Sequence, residues 1–206
     1  MSDIALTAPR QAAVRARHAA SLLVLRANGT EVLMGLRGAG HRFMPNRLVF
    51  PGGAVDREDA TSPAAHPLRP GVQAMLEKAA KPRLAHALAA AAARELEEET
   101  GLTLGNPPAL DGLDYLCRAI TPPVHPVRFN ARFLTVDAAA VSGDLAGSGE
   151  LEDLRWYGVE EALALDLALI TRAVFTVLKT WLAISPQERA ARARTPVFRN
   201  RKMGWE

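Results

Sequence analysis

Apolar positions fall into short runs and longer periodic stretches along the chain. Ser21-Leu22-Leu23-Val24-Leu25-Arg26 reads as a buried strand, Asn28-Gly29 as a hairpin turn, and Glu31 to Arg37 as the returning strand. Leu48-Val49-Phe50 predicts a short strand stopped by Pro51-Gly52-Gly53. A polar loop follows from Asp56 to about Arg69, then a short helix over about Val72 to Ala80. The next helix is punctuated at both ends. Pro82 stands in its first turn, Gly101 stands just past its end, and Ala and Leu fill its body, so it should span Pro82 to Thr100. Tyr115 to Ala119, Ala131 to Asp137 and Leu154 to Tyr157 predict three more strands. Val159 to Leu165, Leu167 to Ala183 and a short stretch opened by Ser185-Pro186 predict helices. Strands and helices alternate irregularly, with hairpins as well as crossovers. That predicts an α/β fold, a mixed sheet with helices on both faces.

Composition narrows the setting. A chain of 206 residues suits a single domain, with a loose arm over residues 1–20 and a basic, mobile tail over 194–206. The arm is rich in Arg and Ala, and a transit peptide is the weaker reading of it. A formal charge of +3 does not argue for nucleic acid, and no apolar run approaches the ~20 residues of a membrane span. The one cysteine, Cys117, excludes an internal disulfide and points to a reducing, cytoplasmic setting.

The predicted helix 82–100 ends in an electrostatic conflict. Arg94-Glu95-Leu96-Glu97-Glu98-Glu99-Thr100 places four carboxylates in the turn where the helix dipole is negative. Each is disfavoured there by roughly 0.3–1 kcal/mol. Glu95 also meets Glu98 and Glu99 at i+3 and i+4, a repulsive spacing for like charges. Glu95, Glu98 and Glu99 share one face, while Glu97 points to solvent. Carboxylate oxygens grouped in this way suit a hard divalent cation such as Mg²⁺ or Mn²⁺, and Arg94 can hold one of them through paired hydrogen bonds.

Together with the Gly52-Gly53 turn, these residues resemble the signature of the Nudix hydrolase family: Gly, five residues, Glu, seven residues, then Arg-Glu-aliphatic-x-Glu-Glu-x-Gly-aliphatic. Arg94, Glu95, Leu96, Glu98, Glu99, Gly101 and Leu102 complete its second half. Gly53 begins the first half, with Asp59 where the family has Glu. Between Asp59 and Arg94 lie 34 residues instead of seven, an insertion of about 27 over residues 60–86. The resemblance implies an α/β/α sandwich and metal-dependent cleavage of a diphosphate linked to another moiety. It implies Glu95, Glu98 and Glu99 as metal ligands, with Arg94 and Glu98 in the catalytic group. One more acid is expected from a loop before a Trp-bearing strand, and Glu150, six residues ahead of Trp156, is the choice over Glu152.

A second pattern bears on substrate. Leu33-Met34-Gly35-Leu36-Arg37-Gly38, Arg42 and Phe50-Pro51-Gly52-Gly53 resemble the coenzyme A diphosphatase branch, of the peroxisomal type and its bacterial relatives. Gly35, Gly38 and Asn46 depart from that pattern. The resemblance implies coenzyme A or acyl-CoA as the small-molecule substrate. Arg37, Arg42, Arg47 and Arg128 would meet its extra 3′-phosphate, and Phe43 or Phe129 its adenine. Gly52 and Gly53 border the site. ADP-ribose or NADH is the alternative substrate, and a non-catalytic ligand-binding module the alternative class. A homodimer through Val72 to His86 or the C-terminal helix also follows by analogy.

Overall fold

The computed structural model describes residues 14–38, 40, 44–147 and 149–206. Among them nine strands form one sheet: β1 (Arg17–Arg26), β2 (Glu31–Arg37), β3 (Arg47–Val49), β4 (Gly52–Ala54), β5 (Asp114–Ile120), β6 (Phe129–Asp137), β7 (Leu151–Gly158), β8 (Pro196–Arg199) and β9 (Lys202–Trp205). The main path runs β3-β2-β1-β6-β5-β8-β9, with β4 against β1 and β7 against β2. β1 runs parallel to β6, and β5 parallel to β8, while the other pairs are antiparallel, so the sheet is mixed as expected.

Continuous apolar runs in β1 follow from cover on both faces. Leu22 and Val24 pack with Leu88, Ala92 and Leu96 on one side, within α2 (Pro82–Thr100), and with Leu76 of α1 (Pro70–Glu77). Their neighbours Leu23 and Leu25 pack on the other side with Val174, Phe175 and Leu178 of α4 (Leu169–Leu182). The layers are therefore helix, sheet, helix. α3 (Val159–Ala164) and α5 (Pro186–Ala190) are short. None of the described helices is long and apolar enough to cross a membrane.

α2 occupies its expected span. Gly101 takes a left-handed φ of 73° and donates its N–H to the Glu97 carbonyl at 2.9 Å, closing the helix. Ala85, Ala89 and Ala92 are fully buried, so the helix lies close on the sheet. The connection from Val55 to Lys81 folds over the same face. Leu68, Val72 and Leu76 join the α2 core, and Arg69 donates to the Leu113 carbonyl at 3.0 Å and to Asp114 at 2.7 Å.

Three expectations change. The Gly52-Gly53 stretch, read as a stop, is a strand: Gly52, Gly53 and Ala54 pair with Ser21, Ala20 and Ala19. β1 begins at Arg17, inside the stretch read as an arm, because β6 pairs with it from Phe129 onward. The segment read as a mobile tail forms β8 and β9. β8 adds to β5 through Arg118–Val197, and Glu206 is held by Arg118 at 2.6 Å and by the Tyr115 hydroxyl at 3.0 Å.

Candidate active site

The last turn of α2 and the β4 strand meet because two glycines allow it. Gly52 has a φ of 148°, and a Cβ there would stand 2.3 Å from the Ala20 carbonyl oxygen. Its N–H donates to Glu99 Oε2 at 2.8 Å. A Cβ on Gly53 would meet Glu95 Oε1 at 2.3 Å, so the Glu95 carboxylate occupies the space a side chain would take. A Gly53→Ala variant should therefore keep its fold, since the far end of Glu95 can swing away. It should lose about 10- to 100-fold in turnover through misplacement of that carboxylate. Steady-state kinetics beside a thermal melt check this, and unchanged kinetics would refute the placement.

Arg94 organises the acids around it. Its Nε and Nη2 donate to the two oxygens of Asp59 at 3.0 and 3.2 Å. Nη1 donates to Glu95 at 2.9 Å and Glu98 at 2.8 Å, and Nη2 also donates to the Ala54 carbonyl at 3.1 Å. Asp59 is buried, and the Asp56 N–H donates to it at 2.7 Å. Burial acts against the Arg94 charge, but the bonds and charges of Asp59 and Glu95 overcome it and raise its pKa. The long connection thus returns Asp59 to Arg94 despite the residues between them.

Glu99 is 2% exposed. Burial pushes its carboxyl up to about 7, opposed by the Gly52 N–H and the Arg37 charge and reinforced by the negative charges of Glu95 and Glu150. Glu95 is raised too, first by burial and then by Glu98 and Glu150, with Arg94 opposing. Glu97 and Glu98 face solvent, and Glu98 keeps its ion pair with Arg94. Glu150 is exposed in the bend before β7, next to Leu151, which pairs with Arg37.

A cleft of about 230 Å³ opens beside this turn, lined by Arg17, Arg37, Gly52, Gly53, Thr121, Phe129, Ile170 and Thr171 among others. Arg37, Gly52 and Gly53, expected to meet substrate or border the site, are among the lining residues. Arg128 is not among the lining residues. Its guanidinium donates to the carbonyls of Thr121 and Val14, and its neighbour Phe129 faces the cleft instead. Arg47 is committed to Asp166. Arg42 and Phe43 lie outside the described residues. Sequence reasoning missed Arg17 and Thr171, which sit on elements far apart in the chain. The alternation of β1 carried the only available signal, placing Arg17, Ala19 and Ser21 on one side.

The donor set fits a hard divalent cation in its chemistry. Buried Glu99 and half-buried Glu95 carry carboxylates that repel each other and Glu150, and a bound cation would relieve that repulsion. Among the described residues no three acidic, His or Cys side chains converge on one point. Arg94 draws one oxygen each from Glu95 and Glu98, and Gly52 draws one from Glu99.

The family description of the NUDIX domain matches residues 83–178, just under half of the chain. That stretch of the chain is similar to a Nudix domain. The match opens at the start of α2 and takes in the glutamate turn. Solved structures agree on the fold. A NUDIX hydrolase from Alicyclobacillus acidocaldarius is 24% identical, with a TM-score of 0.63 over 86% of this chain and 96% of that one. A MutT NUDIX hydrolase from Burkholderia pseudomallei is 20% identical, with a TM-score of 0.53 over 79% and 98%. The putative nudix hydrolase 7 of Caenorhabditis elegans is 50% identical over 44 residues, 21% of this chain. The matched stretch spans 15% of that relative's length.

Proposed function

We propose that this Nudix chain is a metal-dependent hydrolase that cleaves the diphosphate bond of a nucleoside diphosphate derivative. The observation that carries it is the pair of buried Glu99 and half-buried Glu95, held against Gly52 and Gly53 with raised pKa values. A structural turn gains nothing from two like charges drawn together out of water, whereas a cation-binding turn uses them. Glu95, Glu98 and Glu99 would hold Mg²⁺ or Mn²⁺, which when bound neutralises diphosphate oxygens and acidifies a water. Glu150 accepts the water's proton as the water oxygen attacks phosphorus and the bond to the leaving phosphate breaks, with Glu152 as the second candidate. Arg94 acts through the carboxylates it orients.

Coenzyme A or acyl-CoA is the substrate we favour. Arg17 and Arg37 border a cleft whose walls include Phe129 and Ile170, which offers guanidinium groups for phosphate and an aromatic face for adenine. The insertion within the signature, the single-domain organisation and the cytoplasmic setting belong to the same reading. The test is a panel of coenzyme A, acyl-CoA, ADP-ribose and NADH with Mg²⁺ and with Mn²⁺. Two phosphorylated products are expected, with kcat/KM for a coenzyme A compound at least about tenfold above the others, the equivalent of roughly 1.4 kcal/mol. Preference for ADP-ribose or NADH would overturn the substrate. Tight binding without products would make the chain a ligand-binding module.

A further inference from the structure

β7 reaches the active site through an irregularity. Its pairing with β2 runs Val32–Tyr157, Leu33–Trp156 and Met34–Arg155, then resumes at Leu36–Glu152 and Arg37–Leu151. Asp153 and Leu154 therefore stand together against Gly35, a bulge of one extra residue. Asp153 takes a left-handed φ of 45°, a conformation that glycine adopts most easily. Gly35 is needed opposite, because a Cβ there would stand 2.7 Å from Leu151 Cβ.

One buried side chain secures the bulge. The Tyr157 hydroxyl donates to Asp153 Oδ2 at 2.7 Å and lies 3.3 Å from the Asp153 carbonyl oxygen. The Tyr157 residue is 2% exposed, and the Arg155 guanidinium covers its ring at 3.8 Å. The consequence lies two residues further back. The bulge puts Leu151 opposite Arg37, a residue that lines the cleft, and Glu150 is the residue next to that pair. Without the extra residue, the strand before the bulge would slip by about 3.3 Å and turn its side chains to the opposite face.

We propose that the Tyr157 hydroxyl and the left-handed Asp153 form a latch that positions Glu150 at the mouth of the cleft. Tyr157 is thereby a positioning residue, acting through a carboxylate about 23 Å along the strand at most. The inference rests on the role given to Glu150 above. The influence of Glu150 on both Glu95 and Glu99 agrees with that placement.

The test compares wild type, Tyr157→Phe, Glu150→Gln and the double variant on the panel substrate that the wild type turns over fastest. Tyr157→Phe keeps the ring and its packing. It is expected to lower kcat about tenfold with KM within about twofold, and to add nothing in the Glu150→Gln background. Asp153→Asn, which tolerates the left-handed region and keeps an acceptor oxygen, should retain kcat, whereas Asp153→Ala should not. Amide hydrogen exchange supplies a readout independent of catalysis: Tyr157→Phe should speed exchange over residues 149–155 and leave α2 unchanged. Unaltered exchange overturns the latch whatever the kinetics show. An unimpaired Tyr157→Phe, or losses that add in the double variant, overturns it as well. If the wild type turns over no substrate, the hydrolase reading fails by itself and the exchange alone decides the latch.

Discussion

Glu99→Gln is expected to lower turnover by about two to four orders of magnitude while leaving the chain folded. Gln keeps the shape, and its carbonyl oxygen can still accept the Gly52 N–H now bonded to Glu99 at 2.8 Å. What it removes is the charge that a cation would meet. Kinetics at saturating Mg²⁺, beside circular dichroism, check the result. A folded variant within about threefold of wild type, too small a loss for an ion ligand, would remove Glu99 from the machinery.

The same substitution has a stability signature of opposite sign. The Glu99 carboxyl titrates at about 7 in the folded chain, against an ordinary value of 4.5. A raised acid pKa means that the folded state holds the proton more tightly than the unfolded one. The associated stability is fully present below pH 4.5 and is lost as pH rises through 7. The window corresponds to about 3 kcal/mol as an upper figure. With a chelator present, wild type should therefore weaken between pH 4.5 and 7, and Glu99→Gln should be the flatter and, at pH 8, the more stable protein. Divalent metal should stabilise wild type and leave the variant unmoved. Urea unfolding across pH, with and without Mg²⁺, measures both.

The elements that the sequence revealed are those whose causes are local. Pro82 and Gly101 bound α2 because a missing N–H and a left-handed residue act within one turn. The spacing of Glu95, Glu98 and Glu99 follows from the helix alone. β8 and β9 were hidden because strands of four residues are too short to show a period, and their partners lie far away: Arg118 pairs with Val197 and binds Glu206. β4 was hidden because two glycines read as a turn, and only β1 on one side and Glu99 on the other make them a strand. The cleft draws Arg17, Thr121 and Ile170 from three distant stretches, so no local pattern could gather them. Arg128 shows the converse error. A basic residue near the site looks like a phosphate contact until two backbone carbonyls are found to hold it.

Arg94→Ala is expected to destabilise the chain by about 3–5 kcal/mol, because it strands a buried charge. Asp59 is 3% exposed, and both its oxygens accept from Arg94. Without the guanidinium, Asp59 must either remain charged in a poor environment or take up a proton. Pairing the change with Asp59→Asn should restore a large part of the loss, since the stranded charge is gone, and the two effects should be far from additive. Arg94→Lys should fall between. An ammonium cannot reach Asp59, Glu95 and the Ala54 carbonyl in the fixed directions that a guanidinium does. The exposed end of the network behaves differently: Glu98, whose side chain is 56% exposed, pairs with Arg94 at the surface, so Glu98→Gln should change stability by less than about 1 kcal/mol. Urea unfolding of the five variants, Asp59→Asn alone included, separates these cases. If Arg94→Ala unfolds within about 1 kcal/mol of wild type, Asp59 does not depend on it, and the junction between the long connection and the glutamate turn is held by packing instead.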